Sequence, residues 1–65
     1  MKITVNAEPH DIPAANLCDA LAQLGYSGRT VATALNGSFV SRDTRATTPI
    51  RDGDRIEVLA PRQGG

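Results

Sequence analysis

The sequence predicts a two-layer α+β fold, in which a mixed sheet of four to five strands packs on one helix. Three observations predict it. Segments 2–6 and 55–59, near the two ends of the chain, alternate polar and apolar residues, the pattern of half-buried strands. Leu17, Leu21 and Leu24 recur at helical spacing between them, with Ala20 beside them on one apolar stripe. Asn36-Gly37 separates two further alternating runs, and both residues tolerate the φ > 0 that a two-residue type I′ hairpin requires.

Taken in order, Lys2-Ile3-Thr4-Val5-Asn6 is a strand with Ile3 and Val5 inward. Ala7-Glu8-Pro9-His10 reads as a turn, because Pro9 fixes its own φ and restricts the residue before it. Asp11-Ile12-Pro13 reads as a short return strand, with Pro13 at its end or at an unpaired edge position. Asn16 is an N-cap for a helix over 17–24, Asp19 complements the dipole of its first turn, and Gly25 stands at the left-handed C′ position. A loop through Gly28 and Arg29 leads to a strand at 31–35 and, after Asn36-Gly37, to the return strand Ser38-Phe39-Val40. Ser41 to Pro49 is polar and reads as a surface loop, Ile50 is an isolated apolar anchor, and Asp52-Gly53-Asp54 is a turn. The last strand is Arg55-Ile56-Glu57-Val58-Leu59, with Ile56 and Val58 inward. Residues 60–65 have no periodicity and read as a flexible tail, so the expected division is a folded domain at 1–59 and a tail at 60–65. The order is hairpin, helix, hairpin, strand. With the two outer segments side by side in the sheet, this is a β-grasp.

Composition narrows the function. The chain has 65 residues, enough for one thin-cored domain and too few to wall a deep pocket. Seven basic residues balance seven acidic ones and aromatics are 3% of the chain, so the basic excess and stacking platforms of a nucleic-acid binder are both missing. No apolar run approaches the ~20 residues of a membrane span, and no charged and apolar leader pattern is visible. Cys18 is unpaired, which rules against a disulfide-stapled module and suits a reducing cytoplasm, the expected location.

Few residues suggest chemistry of their own. Cys18 lies near the helix N-terminus, where a thiol is activated, but it has no sequence-level partner and reads as a small buried or half-buried filler. His10 is the sole histidine and reads as solvated in its turn. One Cys, one His and scattered Asp residues do not make a metal site. Asp52 and Asp54 read as turn formers, and the six Arg residues as a mixed, acid-matched surface. The anomaly is the end of the sequence, which carries no bulky apolar group and closes on Gly64-Gly65. Two residues without Cβ can thread a narrow channel into another protein's active site and adopt backbone angles closed to other residues. The Gly65 carboxylate, once activated as an acyl-adenylate, would be the reacting group.

These segments together resemble the bacterial ThiS family of sulfur carriers in thiamine biosynthesis. The resemblance rests on Met1 to Asn6, the helix to Gly25, Val31 to Gly37 with Val40, Arg42, Ala46 to Ile50, Asp52 to Leu59, and Gly64-Gly65, and it covers essentially the whole chain. Arg45 departs from it, standing where relatives often carry an aromatic residue, and Asn16 stands near where they often carry Thr or Ser. The resemblance implies a ubiquitin-like β-grasp that is not an enzyme and binds no cofactor or metal itself. It implies an adenylating enzyme that uses ATP and Mg²⁺ to activate Gly65. It further implies a cysteine desulfurase or rhodanese-type sulfur donor, a Gly65 thiocarboxylate, and thiazole synthase as acceptor. The alternatives are a carrier of another pathway (molybdopterin-type or tRNA thiolation), a TGS-like binding module without tail chemistry, and a covalent ubiquitin-like modifier.

A docking surface follows from strand parity. Val31, Thr33 and Leu35 should face the helix, leaving Ala32 and Ala34 outward. Leu59 is outward by the same parity, and of the adjacent Phe39 and Val40 one must face out; with Phe39 as that one, the open face carries a patch of Ala32, Ala34, Phe39 and Leu59. Arg62, in the tail, is a further candidate partner contact.

Overall fold

The computed structural model describes residues 1–60. It contains strands β1 (Lys2–Val5) and β2 (Glu8–Asp11), helix α1 (Leu17–Gln23), strands β3 (Ala32–Leu35) and β4 (Ser38–Val40), a 3-10 helix over Arg42–Thr47, and strand β5 (Arg55–Leu59). The five strands form one sheet in the order β2-β1-β5-β3-β4. β1 and β5 run parallel at its centre, and the other neighbours are antiparallel. This is the expected β-grasp, with both outer segments of the sequence meeting in the middle.

Alternation determines what the helix covers. Ile3, Val5, Thr33, Val40, Ile56 and Val58 are buried on one side of the sheet, where Leu17, Ala20 and Leu21 meet them. Leu17 and Ile56 are the most enclosed large side chains. Asn16 caps α1 as expected, with Oδ1 accepting the Asp19 N–H at 2.8 Å. Gly25 takes φ +91°, which lets the Tyr26 N–H reach the Leu21 carbonyl at 2.9 Å and the Gly25 N–H reach the Ala22 carbonyl at 3.2 Å. Those two bonds are a Schellman motif, and they end the helix at the predicted glycine.

The first hairpin differs from expectation. Its turn is Asn6-Ala7, at φ 51° and 68°, and β2 is Glu8–Asp11, not a strand at 11–13 preceded by a turn at 7–10. Pro9 sits inside the strand because β2 is the sheet edge. The Thr4 N–H points the other way, to the Asp54 carbonyl at 3.0 Å, so the Thr4–Pro9 pair exchanges no bonds and no N–H is missed. His10 consequently lies on a strand, half-buried opposite Ile3, with Nε2 3.6 Å from Glu8 Oε1. The second hairpin is as expected, with Asn36 at φ 51° and Gly37 at φ 85°.

The polar stretch 41–49 is not a plain loop. Its 3-10 helix delivers Arg45 into the fold, where the side chain is 9% exposed. Arg45 Nε donates to Thr33 Oγ1 at 3.0 Å and Nη2 to the Val31 carbonyl at 2.6 Å, while Thr33 Oγ1 donates to the Val40 carbonyl at 2.8 Å. A charged residue is buried here because neutral acceptors on β3 and at Val31 just before it satisfy it, and its long aliphatic stem fills space as an apolar side chain would. Thr48 then closes the segment onto the helix, its carbonyl accepting the Leu17 N–H at 2.9 Å.

Candidate docking surface and the end of the last strand

Among the described residues, no helix covers the side of the sheet away from α1. On it, β3 pairs Ala34 with Phe39 of β4 and with Glu57 of β5, and pairs Ala32 with Leu59. Phe39 is 73% exposed and Leu59 72% exposed, the two large hydrophobic residues among the described ones that stand in solvent. The methyl groups of Ala32 and Ala34 between them leave a shallow depression of about 340 Å³, reaching to Asn6. All four predicted patch residues therefore share one face, Ala32 exposed and Ala34 half-buried. Two large side chains standing in solvent around a hollow carry a free-energy cost.

The same face leads to the end of β5, the last described strand. The Asn6 N–H donates to the Ile56 carbonyl at 2.9 Å, and there β1 turns away into its hairpin. Its side chain continues the ladder. Asn6 Oδ1 accepts the Val58 N–H at 2.9 Å and Asn6 Nδ2 donates to the Val58 carbonyl at 3.1 Å. A mirrored arrangement holds the start of β5. The Asn36 N–H donates to the Arg55 carbonyl at 2.8 Å, Asn36 Oδ1 accepts the Arg55 N–H at 2.9 Å, and Asn36 Nδ2 donates to Asp54 Oδ1 at 3.0 Å. Asn36 was legible as a turn residue. Asn6 could have been found from its place after an alternating strand and before a small residue, where Asn tolerates left-handed backbone.

The remaining candidates are not brought together. Cys18 is exposed, not buried or half-buried, because its position on α1 falls outside the Leu17-Ala20-Leu21 stripe. It borders a hollow with Tyr26, Arg29, Arg42 and Arg45. His10 lies on the edge strand, in a separate groove with Val5, Leu24 and Tyr26. Among the described residues the arginines are not acid-matched: Met1 pairs with Asp11, His10 Nε2 lies 3.6 Å from Glu8 Oε1, and no arginine forms an ion pair. Asp52 and Asp54 are turn formers, Asp52 Oδ1 accepting the Lys2 N–H at 2.6 Å and Asp54 Oδ2 the Arg51 N–H at 2.8 Å. Among the described residues no group of three or more His, Cys, Asp or Glu could hold a metal ion, and no helix is long and apolar enough to cross a membrane. Arg62, Gly64 and Gly65 lie outside the described residues.

The ThiS family model matches residues 3–65 of this sequence. The chain belongs to the ThiS family. Its likeness extends to the sulfur carrier protein ThiS of Thermus thermophilus, 33% identical over 63 residues, covering 97% of this chain and 98% of that protein. A thiazole synthase of Paramagnetospirillum magneticum is 33% identical over 66 residues, covering all of this chain but 20% of that protein, so this chain spans about a fifth of that relative's length. The crystal structure of a thiamine biosynthesis protein (ThiS) from Geobacter metallireducens superposes with a TM-score of 0.82 at 32% identity, each chain covered completely. Sequence family and β-grasp architecture thus agree.

Proposed function

We propose that this ThiS-family chain is a sulfur carrier of thiamine biosynthesis that holds sulfur as a thiocarboxylate on Gly65. The observation that carries this reading is family membership over residues 3–65, joined to a Gly64-Gly65 pair that begins five positions after Leu59, the last residue of β5. Relatives named for thiazole synthase and for ThiS favour the thiamine pathway over molybdopterin-type or tRNA-thiolation carriers. The chain supplies no catalytic group. An adenylating partner, with ATP and Mg²⁺, joins the Gly65 carboxylate oxygen to the α-phosphorus and releases pyrophosphate. Persulfide sulfur from a cysteine desulfurase or rhodanese-type donor displaces AMP, and a thiol then cleaves the S–S bond to leave the thiocarboxylate.

The geometry suits this division of labour. Docking belongs to Ala32, Ala34, Phe39 and Leu59, with Arg62 as a tail contact, while six residues from Ala60 to Gly65 reach at most about 20 Å beyond β5. Thiazole synthase is the acceptor, consistent with a relative of that name containing a segment like this whole chain. The setting is a reducing cytoplasm. The test is a reconstituted reaction with adenylating enzyme, thiazole synthase, ATP, Mg²⁺ and sulfur donor. The full chain should support thiazole formation and the chain lacking Gly65 should not. Equal thiazole formation by both would remove the tail chemistry.

A further inference from the structure

We propose that the Asn6 side chain is a positioning residue for the carrier reaction, clamping the end of β5 so that the tail starts from one fixed point. The inference rests on the sulfur-carrier reading for its consequence and on geometry alone for the clamp. β1 leaves the sheet at Asn6, where φ turns to 51°. The next rung toward Val58 would be lost with it. Instead, the Asn6 amide group offers one acceptor and one donor, and both engage Val58, at 2.9 and 3.1 Å. On the other side of β5, Leu59 pairs with Ala32 of β3. The last residues of β5 are therefore held from both sides, directly before the tail.

The consequence is kinetic. A carboxylate tethered to an anchored strand end samples a smaller volume than one tethered to a frayed end. If Val58 and Leu59 released, the tether would lengthen by two residues, adding up to about 7 Å of reach and many unproductive conformers. Misplacement of a reacting group by about 1 Å can cost a hundredfold in rate. Three of the four docking residues, Ala32 and Ala34 on β3 and Phe39 on β4, lie on strands that the clamp does not hold, whereas Leu59 lies beside it. The signature of a positioning role is thus a fall in kcat for adenylation that exceeds the rise in KM for the carrier.

Asn36 supplies the matched control. It occupies the same turn position at the same φ of 51° and also bonds β5 through its side chain, but at Arg55, about 13 Å of strand away from Leu59. Asn6→Gly and Asn36→Gly each remove the side chain while leaving the left-handed backbone unstrained. With the adenylating enzyme and ATP, Asn6→Gly should lower kcat by about tenfold or more, a larger factor than any rise in KM, whereas Asn36→Gly should keep kcat within about twofold. Asn6→Asp keeps the acceptor for the Val58 N–H and should fall between Asn6→Gly and the parent chain. It also serves should Asn6→Gly fold poorly. Amide hydrogen exchange reads the clamp without any partner. The Val58 N–H should exchange about tenfold faster or more in Asn6→Gly and not in Asn36→Gly. Unchanged Val58 exchange in Asn6→Gly would overturn the clamp itself. Fast exchange with kcat at the parent value, or an equal loss of kcat in Asn36→Gly, would overturn its positioning role. If the parent chain is not adenylated at all, the carrier reading fails and the exchange result still decides the clamp.

Discussion

The two faces of the sheet are made by the same strands, one residue out of step, and they are built to opposite rules. Toward α1, Ile3, Val5, Thr33, Ile56 and Val58 are buried, and the polar hydroxyl among them has a partner. On the opposite side, Phe39 and Leu59 stand more than seven-tenths exposed beside the small Ala32 and Ala34. A domain with so few large apolar residues has little reason to leave two of them in water unless another surface covers them. The difference places stability on one face and, on the proposed reading, recognition on the other, so substitutions should separate the two properties.

The largest effect is expected on the packed face. Ile56→Ala empties the centre of the thin core and should cost about 3 kcal/mol, a large share of the total stability of a domain this size. Chemical denaturation would measure it, and a loss below about 1 kcal/mol would mean that the core is not where burial places it. Next is Phe39→Asp on the open face. It should weaken binding to the adenylating enzyme by about 2 kcal/mol, the size of a hot-spot loss, while the denaturation midpoint hardly moves. Titration calorimetry beside denaturation reads both, and retained affinity would remove Phe39 from the docking surface. Thr33→Val should cost about 1–2 kcal/mol, since it strips the acceptor from the Arg45 Nε and the donor from the Val40 carbonyl while keeping the shape. An unchanged midpoint would show that the network is dispensable. Cys18→Ala, exposed on α1, should change stability by no more than about 0.5 kcal/mol and leave carrier activity intact. Loss of activity in that folded variant would give the thiol a role that this account denies it.

Much of this comparison was legible in the sequence because strand alternation is a local code. Parity placed Ile56 and Val58 inward and Leu59 outward without any knowledge of pairing, and it required one of Phe39 and Val40 to face out without deciding which. The helix cap at Asn16 and its stop at Gly25 were equally local. What was not legible depended on position in the sheet. Pro9 reads as a turn residue until β2 is known to be an edge, where a missing N–H costs nothing. Arg45 reads as surface until the 3-10 helix carries it over β3, since no local pattern announces that Thr33 and Val31 will supply acceptors. The hold of Asn6 on Val58 joins residues 52 positions apart and needs the parallel pairing of β1 with β5 to exist. Cys18 was misplaced for a simpler reason: a preference for burial was applied to a helix position that points away from the stripe.

The central claim is that Gly65 carries sulfur, and the intact mass of the chain tests it most directly. The chain ending at Gly65 is incubated with the adenylating enzyme, ATP, Mg²⁺ and a persulfide donor, and weighed before and after. The account predicts a gain equal to the difference between one sulfur and one oxygen atom, localised to the C-terminal peptide and dependent on ATP. An unchanged mass, with the enzyme active on another carrier, would contradict it.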